Sequence, residues 1–84
     1  MKLALFLAAA REEFMAEVAY YNAAQTGLGL RFAVAVEVAT ARALTFPLSG
    51  TPAAADTRRM IVRGFPYSVF YRPQEDGIVV FAVA

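Results

Sequence analysis

The chain has 84 residues and a formal net charge of +1, so it makes one domain, 1–84, with no global field to draw it to nucleic acid. It lacks cysteine and histidine, which excludes disulfides and thiolate metal sites and removes the usual general base near neutral pH. Hydrophobic residues make up 60% of the sequence, more than so small a fold can bury, so apolar surface is left for a partner, either a second copy or a different chain.

Lys2 to Leu7 reads as a first strand, apolar on both faces and so expected in the interior of a sheet. Met1-Lys2 followed by Leu3 to Ala10 imitates a secretory leader. Arg11-Glu12-Glu13 cuts the imitation short, and a cytoplasmic location is expected. No uncharged stretch reaches the ~18 apolar residues of a membrane helix, so no membrane partner is expected.

From about Ala9 the pattern turns helical. Leu7, Ala10, Phe14, Val18 and Tyr21 fall on one stripe, with Arg11, Glu12, Glu13 and Glu17 largely off it as a solvated face. Tyr20 lies off the stripe and is the tyrosine expected at the surface. Gly27 is the expected stop. A second helix is expected from Leu28 or Gly29 to about Leu44, with Phe32, Val36, Ala39, Ala43 and Phe46 sharing its buried face and Pro47 ending it. The short connection makes the two helices an antiparallel hairpin.

Leu48 to Asp56 is expected to be loop, broken by Gly50 and Pro52. A three-strand meander follows. In Thr57 to Arg63, alternation puts Arg58, Met60 and Val62 on one face and Arg59, Ile61 and Arg63 on the other. Gly64-Phe65-Pro66 turns the chain. Tyr67 to Arg72 then sets Tyr67, Val69 and Tyr71 against Ser68, Phe70 and Arg72. Pro73 to Gly77 is a hairpin turn resting on its Asp-Gly step, and Ile78 to Val83, apolar on both faces, is a central strand beside the first. The fold class is therefore α+β, ordered β-α-α-β-β-β, with the helical hairpin on one face of a small, mainly antiparallel sheet.

The ordered set of residues resembles the RelE/ParE toxins of type II toxin–antitoxin systems. It comprises Glu17 and Tyr20-Tyr21, Gly27-Leu28-Gly29 with Phe32, Pro47, Arg58-Arg59, Phe65-Pro66-Tyr67 with Tyr71, and the final Ile78 to Val83. The resemblance implies a bacterial toxin neutralised by a cognate antitoxin and held in a hetero-oligomer with it. It also implies one of two activities. RelE-like members cut messenger RNA in the ribosomal A site; ParE-like members poison DNA gyrase. The nuclease draws its acid and base from histidine or tyrosine beside basic residues. Here histidine is missing, Lys2 is the only lysine, and the chain stops at Ala84, where many relatives carry a His-Arg tail. The ParE-like reading is therefore favoured. The ribosome-dependent endoribonuclease and an inactive, antitoxin-binding relative are the alternatives.

No catalytic residue is assigned, and no cofactor or metal is expected. Arg58, Arg59, Arg63, Tyr67, Tyr71 and Arg72 are the expected target- or antitoxin-binding residues. Planar guanidinium forks suit a carboxylate-bearing partner. The competing readings are a solvated or helix-paired role for Arg59 and Arg63, and a core role for Tyr67 and Tyr71.

Overall fold

The computed structural model describes residues 1–84. The elements run β1 (Leu3–Phe6), α1 (Ala8–Ala24), α2 (Leu28–Thr45), β2 (Thr51–Pro52), a single 3₁₀ turn (Ala54–Asp56), β3 (Arg58–Val62), β4 (Tyr67–Gln74) and β5 (Gly77–Val83). The strands form one sheet in the order β1-β5-β4-β3-β2. Only the β1–β5 pair is parallel.

This is the α+β architecture expected, with one strand more. The extra strand is β2, inside the segment read as loop. Two residues with a proline give no alternation to detect. They pair because Arg58 and Arg59 present an open edge to Pro52 and Thr51. β1 and β5 are neighbours, as expected, and β5 is interior. β1, however, is an edge strand, with Leu3 and Leu5 exposed. An apolar strand reads as interior from sequence because edges are usually guarded by charge or proline, and this one is not.

The helices lie on the sheet face formed by Met60, Val62, Val69, Tyr71, Ile78 and Val80, all buried. α2 contributes Phe32, Val36, Ala39 and Ala43, again buried. Phe46 belongs to the same periodic pattern but is 63% exposed. Helical geometry ends at Thr45 and the following Pro47 forces Phe46 out of the helical region. Phe32 is the centre of an aromatic cluster, with ring centroids 5.0 Å from Tyr21, 5.1 Å from Phe65 and 5.1 Å from Tyr67. Tilted and edge-to-face rings at this spacing add to the gain from burial. α1 and α2 approach closely where Gly29 meets α1: a Cβ there would collide with the Val18 carbonyl and Asn22.

The β4–β5 turn is tighter than expected. Glu75 and Asp76 form it, while Pro73 and Gln74 pair with Ile78 and Gly77. Gly77 has φ 149°, and a Cβ on it would run into the backbone of Leu3. That glycine lets β1 lie against the start of β5.

Candidate functional site

The face of the sheet away from the helices is open. Its residues follow from alternation and register: Arg59 and Ile61 on β3, Ser68, Phe70 and Arg72 on β4, Val79 on β5, Leu3 and Leu5 on β1. Arg59 stands opposite Phe70, Ile61 opposite Ser68, and Arg72 opposite Val79. Arg63 follows β3 and is exposed, as are Arg59 and Ile61. The result is a strip of cations among apolar side chains on β3 and β4, shading into leucines toward β1.

The six residues singled out from sequence divide between the two faces. Arg59 and Arg72 stand on the open face, and Arg63 is exposed in the turn that follows β3. Arg58, Tyr67 and Tyr71 point to the helix side, in keeping with the alternation of their strands. Tyr71 is 0% exposed. Its hydroxyl donates to the Pro47 carbonyl at 2.7 Å and accepts from the Gly50 N–H at 3.2 Å. Arg58 donates to the carbonyls of Leu48, 3.1 Å, and Gly50, 2.9 Å. Together the two side chains satisfy the polar backbone of the Pro47–Gly50 crossing, which leads from α2 to the sheet. This structural role was legible in part, since Arg58 shares a face with Met60 and Val62.

Tyr67 donates its hydroxyl to Glu17 Oε2 on α1. That hydrogen bond, then burial, then the Glu17 charge push the phenol above its ordinary value, so Tyr67 is held protonated. Glu13 accepts from the Val83 N–H at 3.2 Å. Glu13 and Glu17, read from sequence as a solvated face, are thus tied from α1 to the sheet. They stand four residues apart and so share one side of the helix. Arg59, by contrast, lies on the opposite side of the sheet from these glutamates.

Arg72 is the half-buried member. Its guanidinium carbon sits 4.7 Å from the Phe81 ring centroid, and one terminal nitrogen donates to the Ala55 carbonyl at 2.6 Å. Ala55 and Asp56 have φ 58° and 59°, a left-handed conformation that costs L residues about 1 kcal/mol or more each. Arg72 therefore helps hold a strained turn in place and is only partly available to a partner. Tyr20, expected at the surface, is 65% exposed with its ring 5.4 Å from that of Tyr21.

No group of three or more acidic, histidine or cysteine side chains is placed to hold a metal ion. What the open strip offers is binding: planar cations for carboxylates, and apolar side chains between them.

The family model for the ParE toxin of type II toxin–antitoxin systems, parDE, matches residues 5–84. The chain belongs to the ParE toxin family. The solved structure described as "Chromosomal ParDE TA system from P. aeruginosa" is similar in fold, with a TM-score of 0.83, covering 99% of this chain and 94% of that one at 14% sequence identity. Among curated proteins, none matches the sequence. No helix is long and apolar enough to cross a membrane.

Proposed function

We propose that this ParE-family chain acts as the toxin of its pair by binding DNA gyrase and stalling it on cleaved DNA, and that a cognate antitoxin neutralises it. The antitoxin lays an acid-bearing segment along the open strip. Its carboxylates pair with Arg59 and Arg63, and its apolar side chains cover Ile61 and Phe70. Arg58 and Tyr71, occupied with the Pro47–Gly50 crossing, take no part.

The observation that carries this reading is the division of the two faces. The solvent-facing strip bears cations and apolar groups, while both tyrosines of β4 are turned inward and hydrogen-bonded. A ribonuclease working on this face needs a group there to take a proton from the 2′-hydroxyl and another to give one to the leaving oxygen. Guanidinium groups stay protonated and do neither. The strip suits gripping rather than cutting.

The test is to incubate the purified chain with gyrase and supercoiled plasmid, and separately with ribosomes programmed with message. Linear, gyrase-dependent DNA and intact message are expected. Message cut in the ribosomal A site, with plasmid untouched, would replace this reading with the RelE-like one.

A further inference from the structure

The two ends of the sheet are guarded very differently. At one end β2 is two residues long, contains Pro52, and runs directly into the left-handed turn at Ala55 and Asp56. Short length, proline and a sharp turn keep foreign strands from adding there. At the other end β1 has none of these devices. Leu3 to Ala10 carries no charge and no proline, and β1 pairs with β5 residue for residue without a bulge.

The hydrogen bonds show which groups of β1 remain free. Leu3 N–H donates to Asp76 at 2.9 Å and Leu7 N–H to Val80 at 3.0 Å, so the odd residues bond β5. In a parallel pair the alternate residues point the other way, and the N–H and C=O of Ala4 and Phe6 face the open edge. The odd residues meanwhile send their side chains to the open face. Leu3 and Leu5 are each 60% exposed and Leu7 is 39% exposed. On the helix side a groove of about 390 Å³, lined by Phe6, Phe14, Met15 and Leu44 with Arg11 and Glu37, opens beside Phe6 at the end of the same strand. The apolar side chains of β1 therefore lie on both sides of its free edge.

We propose that the free edge of β1 pairs, antiparallel and about a two-fold axis at Leu5, with the same edge of a second copy of this chain. In that register Ala4 of one copy faces Phe6 of the other, and the reverse. Each pair exchanges two backbone bonds, so the four unpaired N–H groups meet the four unpaired carbonyls. Leu5 meets its own symmetry mate, and each Leu3 meets a Leu7, which covers all the exposed leucines of the strand. Every residue used is extended, Leu7 included, with φ −64° and ψ 155°. An uncharged strand sets no like charges against each other on self-pairing, and it offers nothing to draw an acidic or basic partner. One short strand offers less than the ~1,600 Å² of a standard interface, so the dimer is a weak one.

The sequence makes a sharp test possible. Sedimentation velocity on the full chain, separated from any antitoxin, is expected to show a reversible, concentration-dependent rise from monomer to dimer as protein is raised to about 1 mM. Leu5→Lys and Leu5→Glu each place like charges across the axis and are expected to raise Kd at least about tenfold. Because Leu5 is exposed, both variants keep the wild-type melting temperature. An equal mixture of the two is expected to dimerise again. The register is tested with Leu5→Cys in this cysteine-free chain. Residues facing each other between hydrogen-bonded pairs have Cα atoms ~4.5 Å apart, within disulfide reach, so mild oxidation is expected to give a covalent dimer. The proposal is overturned if the wild type stays monomeric throughout, which leaves the edge to a foreign strand. It is equally overturned if Leu5→Lys dimerises like the wild type, if the charge-swapped mixture stays monomeric, or if Leu5→Cys forms no disulfide dimer.

Discussion

Removing one oxygen atom distinguishes the two roles available to Tyr71. In Tyr71→Phe the ring keeps its place in the core, but the Gly50 N–H and the Pro47 carbonyl each lose a partner. Gly50 is buried, so its N–H stays without water, at a cost of about 1–3 kcal/mol. Pro47 is half-buried, and its carbonyl recovers part of its loss from solvent. A net loss of about 2–3 kcal/mol follows. A chain of 84 residues has roughly 4–13 kcal/mol of stability in all. The melting temperature should therefore fall by roughly 10–20 °C. Thermal and urea unfolding followed by circular dichroism measure this directly. Arg58→Met should be non-additive with it, because both side chains hold the same crossing. Antitoxin affinity of the folded variant should be unchanged. A loss below about 0.5 kcal/mol, or additivity with Arg58→Met, would refute the reasoning by showing that the hydroxyl is solvated and the crossing held by other means.

Three further outcomes are expected. Arg59→Ala with Arg63→Ala should weaken antitoxin binding about 10–100-fold while leaving stability within about 0.5 kcal/mol, since both side chains are exposed and exposed charges contribute little to folding; isothermal titration and a melt check the two halves, and unchanged affinity would defeat the docking model. Tyr67 is raised above its ordinary value of about 10 in the folded state, so its contribution to stability is fully present below pH ~10 and is lost as pH rises toward the folded-state value; urea titrations at several alkaline pH values should show a decline in the wild type that Tyr67→Phe lessens, and equal slopes would count against the Glu17 contact. Ala55→Gly should raise the melting temperature by several degrees, because relief of the left-handed strain at φ 58° exceeds the added freedom of glycine in the unfolded chain; a lower melting temperature would show that the strain is absent.

Much of the fold was legible because two periodicities are clean. The spacing of Phe32, Val36, Ala39 and Ala43 names the buried face of α2. The alternation from Arg58 to Val62 and from Tyr67 to Arg72 names the two faces of the hairpin. The same alternation put Arg58 and Tyr71 on the core side, yet composition argued for a binding role. Which argument prevails depends on Pro47 to Gly50, distant in sequence, whose backbone needs those two side chains. No local pattern shows that need. β2 was hidden because its strand character comes from β3, and the edge position of β1 because an unguarded apolar strand looks interior. Glu13 and Glu17 looked solvated because their partners, Val83 and Tyr67, lie 70 and 50 residues away.

Titrating antitoxin into gyrase reactions poisoned by the wild type or by the Arg59→Ala, Arg63→Ala variant shows whether the chain is a gyrase-directed toxin restrained through its exposed arginines. Near-stoichiometric antitoxin is expected to release gyrase from the wild type, and the variant is expected to require at least about tenfold more. Superimposable titration curves, or a wild-type chain that never traps cleaved DNA, would contradict this.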